Sequence, residues 1–148
     1  MKYFLFFILI SLSIKGKTQI NLEVVGRWDY DIPFLDILEA GNDFSGAYES
    51  SPAQVNLSIT KGIIQDFNWK IDVRKGNEDW HPDLRILVKR TGDGVGVLGS
   101  HIEGGTTYQE ISELNQFFFQ GQRSNTLIPF QYKVENVSVT IPAKTYYT

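Results

Sequence analysis

The side chains best placed to do chemistry gather around one tryptophan: Asn77, Glu78, Asp79 and Asp83 flank Trp80-His81-Pro82. Hard cations are held by such carboxylate and amide oxygens, but this spacing matches no EF-hand loop. A solvated loop with Trp80 packed on the rim of the fold accounts for the same residues, so no metal is expected. The functional alternative is a sugar, because an indole in a polar loop offers flat apolar area with a polar edge. Trp80, with Asp79 and Asp83 beside it, is therefore the candidate ligand-binding site. Trp28, Trp69, Tyr30, Tyr48 and Tyr108 could extend a stacking platform. Of these, Trp28 and Trp69 alternate with core positions and are expected inside.

Other constellations lead away from catalysis. His81 and His101 are the only histidines; they form no i, i+4 metal pair and read as surface residues. Gly94-x-Gly96-x-x-Gly99 has the glycine spacing of a dinucleotide fingerprint, a motif that works only when a helix N-terminus follows it. Here Ser100-His101-Ile102-Glu103-Gly104-Gly105 starts no helix, and a hairpin tip is expected. There is no Gly-x-Ser-x-Gly elbow for a nucleophilic serine. Some pair can always be drawn among seventeen acidic residues, and only two carboxyls facing across a cleft make a glycosidase. The absence of cysteine removes thiolate zinc sites, iron–sulfur clusters, disulfides and cysteine nucleophiles. The expectation is a protein with no catalytic residues and no cofactor.

Composition limits the partners. Fourteen Lys and Arg against seventeen Asp and Glu give a net charge of −3, with no basic block to track phosphates, so nucleic acid is not expected. Ten Phe, seven Tyr and three Trp carry too much apolar surface for a disordered chain.

The elements that must position these residues begin after an address. Met1-Lys2 precedes an apolar run over residues 3–14, which Lys15 and Lys17 interrupt. A membrane-spanning helix needs about 20 apolar residues, so residues 1–18 read as a secretory signal peptide cut after Thr18, with no permanent span. Its removal takes three lysines and no acid, which moves the net charge to −6. An acidic, cysteine-free mature chain fits a bacterial exported protein in the periplasm, at the cell surface or secreted. Without disulfides it must be held by its core, which residues 19–148 are long enough to build as one domain.

Period-two alternation then dominates. Phe67, Trp69, Ile71 and Val73 point one way while Asn68, Lys70, Asp72 and Arg74 point the other. Val55–Thr60 repeats the pattern, and Leu84–Lys89 follows it less strictly. Asn21–Tyr30 supplies an earlier strand, and Thr126–Val134 and Val137–Ile141 supply later ones. Gln109–Phe118 is read as a strand in preference to a short helix. Pro52, Pro82, Pro129 and Pro142 suit strand starts and edges. Phe117-Phe118-Phe119 places aromatic rings on both faces of a strand, one of which must be covered or meet a partner. Six to eight short strands with Asn, Asp and Gly turns and no crossover helix predict an antiparallel two-sheet sandwich of Ig-like or Greek-key type, with a small barrel as the alternative.

Thr126-Leu127-Ile128-Pro129-Phe130-Gln131-Tyr132-Lys133-Val134, then Val137–Thr148 with Pro142-Ala143-Lys144-Thr145-Tyr146, resembles the close of bacterial pilin-like sandwich domains of the spore-coat-U and archaic chaperone–usher type. In those a Tyr-containing strand leads through a Pro-Ala-Gly-Thr-Tyr-like turn into a final alternating strand. The likeness covers the last quarter of the chain and has Lys144 where the family has Gly. Family members also often carry disulfides. The resemblance implies a sandwich lacking its final strand and completed by a neighbouring subunit, with Val137, Val139, Ile141 and Tyr146 along the assembly edge. Alternatively, residues 20–30 close the sheet themselves. The sequence thus predicts an exported, non-catalytic structural or interaction module of fimbrial type, its partners other protein subunits, a second copy, or a surface glycan. The second expectation is a carbohydrate-binding module using the Trp80 loop.

Overall fold

The computed structural model describes residues 19–33, 43–44, 46–62, 66–76 and 79–146. The signal-peptide expectation falls on residues 1–18, outside the described residues. These residues form ten strands and no helix: β1 (Asn21–Val25), β2 (Ala47–Glu49), β3 (Val55–Thr60), β4 (Asn68–Val73), β5 (Arg85–Arg90), β6 (Val95–Gly96), β7 (His101–Gly104), β8 (Gln109–Glu110), β9 (Gln116–Gln122) and β10 (Asn125–Glu135). They pair into a seven-stranded and a three-stranded antiparallel sheet, so the protein is the all-β two-sheet sandwich that the alternation predicts.

The large sheet is organised by β10. One side of it pairs first with β3 and then with β2; the other pairs first with β6 and then with β5. β1 extends the sheet beyond β3, and β8 beyond β5. Pro129 therefore lies inside a central strand, where it was not expected. It falls in the interval after β10 has left β6 and before it meets β5, so no ladder bond needs the N–H it lacks. Leu127 adopts φ 55° where the register against β3 slips between Asn125 and Ile128. Gly94 (φ 67°) lies against this bulge, and a Cβ there would meet Ile128 N at 2.7 Å and Leu127 C at 2.8 Å. Gly94 thus packs its loop onto irregular backbone, no helix follows the glycine run, and β6 pairs with β10 in place of β5, so the expected hairpin tip is not formed.

The small sheet runs β4-β9-β7, and its inner face supplies Trp69, Ile102, Phe118 and Phe119 to the core. They meet Val55, Leu57, Ile59, Val88, Ile128 and Phe130 of the large sheet. A bulge explains the three consecutive phenylalanines. Ile71 is paired with Phe119 but Asp72 with Phe117, so Phe118 is the extra residue. Phe118 and Phe119 are consequently both buried, edge to face at 5.1 Å, and Phe117 is turned outward. From β9 the chain passes to β10 through Arg123, at φ 62°. The buried Asn125 side chain bonds the carbonyls of Gln122 and Arg123 at this crossing, and the Trp69 indole N–H donates to Arg123 O at 2.7 Å. These bonds satisfy backbone that the move between sheets removes from both ladders.

Several boundaries differ from expectation. The first strand stops at Val25, well short of Tyr30. Gln109–Phe118 splits into β8 and the start of β9, with residues 111–115 outside any strand. β2, β6 and β7 are short additions that the sequence pattern did not reveal. Trp28 is only half-buried and stacks on Tyr132 at 6.3 Å, whereas Trp69 is buried.

Candidate functional site: an uncovered sheet edge

The Trp80 loop is built inward. Its indole N–H donates to Leu84 O at 2.8 Å, and its ring packs beside a second core cluster of Tyr48, Leu84 and Val137. Asp79 is engaged by Lys144 Nζ at 2.5 Å. The Asp83 N–H donates to His81 Nδ1 at 3.3 Å, and the Asp83 carbonyl accepts from the Asn136 amide. The structure therefore brings Trp80, Asp79 and Asp83 together as a brace for the C-terminal segment, with the polar edge of the indole already satisfied. Sequence distance hid this, because Lys144 and Asn136 lie more than fifty residues away. Asn77 and Glu78 are outside the described residues.

The expected strand at Val137–Ile141 is not formed. Asn136 takes φ 63° at the end of β10 and turns the chain, after which Val137 is buried against Tyr48 and Leu84. Its N–H donates to Gly46 O, and Ile141 N–H closes a turn onto Ser138 O at 3.1 Å. Asp43 accepts from Val139 N–H at 2.8 Å. The Ser138 hydroxyl, then the Val139 and Phe44 amides, hold the Asp43 carboxyl below the usual carboxylate range. Tyr146 lies edge-on to His81 at 5.9 Å and donates to Pro142 O. Val137, Val139, Ile141 and Tyr146 thus belong to a loop that covers one end of the large sheet, and present no strand edge.

An open edge flanked by exposed apolar side chains lies at β1. Its register with β3 sets Leu22 opposite Ile59 and Val24 opposite Leu57, and directly opposed residues share a sheet face. Leu57 and Ile59 are 5% and 1% exposed, yet Leu22 and Val24 are 56% and 60% exposed. The core face of the large sheet thus continues onto β1, beyond the reach of the three-stranded sheet. Among the described residues β1 pairs only with β3, so its other side carries strand backbone without a ladder neighbour. Gly26 ends the strand at φ 103°, where a Cβ would stand 2.5 Å from Gln54 O. Gln54 then ties down the exit by donating to Arg27 O at 2.7 Å, and Trp28 crosses onto Tyr132. Sequence reading recognised this strand but could not show how little of it is covered.

Elsewhere on the large sheet several charged side chains are paired with one another. Arg85 pairs with Glu110 and Glu135 at 2.8 and 3.0 Å, and Lys133 with Glu135 at 2.8 Å. Glu110 raises the Arg85 pKa, and the Lys133 hydrogen bond lowers that of Glu135. Lys89 sits 4.3 Å from the Tyr108 ring centre. Burial, then the charge of Glu49, pushes the Tyr108 hydroxyl up to about 12. Arg90 is buried and bonds Gly92 O, Gly104 O and the Asp93 carboxylate. With four of its five N–H groups used it is a strut between loops. Among the described residues no three His, Asp or Glu side chains gather so as to hold a metal ion. No helix among them is long and apolar enough to cross a membrane. No family model, curated protein or solved structure matches the chain.

Proposed function

We propose that the protein is an exported, non-catalytic interaction module that takes a strand from a protein partner along β1. The observation that carries this is the side of β1 that has no ladder neighbour among the described residues, together with the exposed Leu22 and Val24 on its core face. Strand addition satisfies both needs at once: main-chain hydrogen bonds fill the edge, and alternate apolar side chains extend the core. Cleavage after Thr18 would leave β1 as the N-terminal strand of the mature chain. The acidic balance of that chain and Glu23 at the centre of β1 favour a basic residue on the incoming strand. A second copy is the poorer occupant. Antiparallel self-pairing about the middle of β1 sets Glu23 against Glu23, and directly opposed like charges are destabilising. The occupant is therefore a strand of another protein, with Lys or Arg opposite Glu23 and apolar residues opposite Leu22 and Val24.

The test uses an alternating Val/Lys peptide as probe, a Val/Glu peptide as control, and residue-resolved amide exchange as readout. The Val/Lys peptide should slow exchange in β1, the Val/Glu peptide should not, and Val24→Lys should abolish the effect while leaving the fold intact. Unchanged β1 exchange would overturn the reading. So would a solution mass that rises with concentration and falls back in Val24→Lys, since β1 would then join copies of this chain.

A further inference from the structure

The small sheet presents a second surface, independent of β1. Cross-strand register lines up Asn68, Gln122 and His101 in one row, and Lys70, Gln120 and Glu103 in the next. Strands lie ~4.8 Å apart and same-face residues ~6.8 Å along a strand, so this grid measures roughly 10 by 7 Å. With Trp69 and Gly121, its residues other than Lys70 line a shallow concavity of about 330 Å³, near the lower end of the range of small-ligand sites. Beyond the second row lies Phe117, opposite Asp72 and 50% exposed.

Three features distinguish this face from ordinary solvated sheet. The first is its chemistry: three carboxamides, a carboxylate and an imidazole offer donors and acceptors side by side, the complement of hydroxyl groups, which both donate and accept. The second is charge. Lys70 pairs with Asp72 at 3.3 Å, and the Gln120 amide donates to Glu103, so the face has no excess of positive charge for phosphate or sulfate. The third is Phe117. The bulge that buries both Phe118 and Phe119 is what directs Phe117 outward, and bulges recur where a side chain is re-aimed. Its ring stands beside the polar rows with Lys70 Nζ 5.6 Å from its centre, an apolar plane next to hydrogen-bonding groups. We propose that this face of β4, β9 and β7 binds a neutral carbohydrate chain, with Phe117 stacking on a sugar ring and Gln120, Gln122, Asn68 and Glu103 bonding its hydroxyls. Among the described residues β4 and β7 are both outer strands of the sheet, so a polymer can run across the grid.

The experiment is native electrophoresis of the protein through gels containing hydroxyethylcellulose, laminarin, mannan or galactomannan. At least one should retard it. Phe117→Ala and Gln122→Ala should each weaken retention by up to about tenfold, the scale of one aromatic contact for the first and of one hydrogen bond for the second, with thermal unfolding unchanged. Phe117→Tyr, which keeps the ring, should retain binding even if Phe117→Ala proves unstable. Val24→Lys should bind as the parent does, which separates this surface from the β1 edge. Absence of retardation in all four gels overturns the proposal. Retention indifferent to both Phe117→Ala and Gln122→Ala, or abolished by Val24→Lys, does so equally.

Discussion

Replacing Arg90 with methionine tests how the sandwich is braced. The Arg90 side chain is 4% exposed, whereas that of its ionic partner Asp93 is 70% exposed. Its Nε and Nη2 donate to Gly104 O at 3.1 and 2.9 Å and its Nη1 to Gly92 O at 3.0 Å, while the guanidinium lies 5.8 Å from the centre of Phe119. Hydrogen bonds from a charged donor are worth about 1.5–3 kcal/mol each. Water can partly replace the donor at both carbonyls, and methionine spares the cost of burying the charge. Arg90→Met should therefore lose about 2–3 kcal/mol. Asp93→Asn should lose less than about 1 kcal/mol, because an exposed carboxylate is rehydrated and ion pairs screened by water contribute little. With a urea dependence of about 1.5 kcal/mol per molar, equilibrium unfolding should show the Arg90→Met midpoint lower by about 1.3–2 M and the Asp93→Asn midpoint lower by under ~0.7 M. Equal losses in the two variants would refute the reasoning, since the ion pair and not the carbonyl bonds would then be the brace. A neutral Arg90→Met would refute it too.

Other outcomes follow from the same geometry. Phe119, fully buried among Trp69, Phe118 and Phe130, should cost about 3–5 kcal/mol when cut to alanine, measured by the same unfolding assay. Gly94→Ala combines a left-handed φ with a Cβ pressed on backbone that cannot yield, and should lower stability by at least about 2 kcal/mol. Ultraviolet titration should find Tyr108 ionising near 12. Because its folded pKa is raised, stability should fall as pH climbs from about 10, the unfolded value, through 12. The folded pKa of Asp43 is lowered, so its contribution is present above the ordinary aspartate range and lost as pH falls through the folded value. Protection of the Val139 amide, relative to its intrinsic exchange at the same pH, should fall there and should already be low in Asp43→Ala.

Much of the architecture is legible in residue order. Val55–Thr60 forms the strand its alternation predicts, Phe67–Arg74 forms one trimmed to Asn68–Val73, and Trp69 is buried as its position among Phe67, Ile71 and Val73 requires. Period two is local chemistry: it states which side chains share a face, and a face of Val, Ile, Leu and Trp must be buried. The lack of a helical period and the glycine- and asparagine-marked turns likewise point to an all-β fold.

What residue order could not decide is which faces find a cover. Trp80 looks like an exposed ring in a polar loop until it packs beside the cluster of Tyr48, Leu84 and Val137, and Val137–Ile141 alternates like a strand although Asn136 turns it into a loop. Leu22 and Val24 look like ordinary core positions, and only the smaller extent of the opposing sheet leaves them open. The outward Phe117 depends on a one-residue slip between β4 and β9. Each of these outcomes is set by contacts between residues far apart in sequence, where pairing register and the relative size of the two sheets decide burial. Local patterning determines what a face is made of, and tertiary packing alone determines what lies against it.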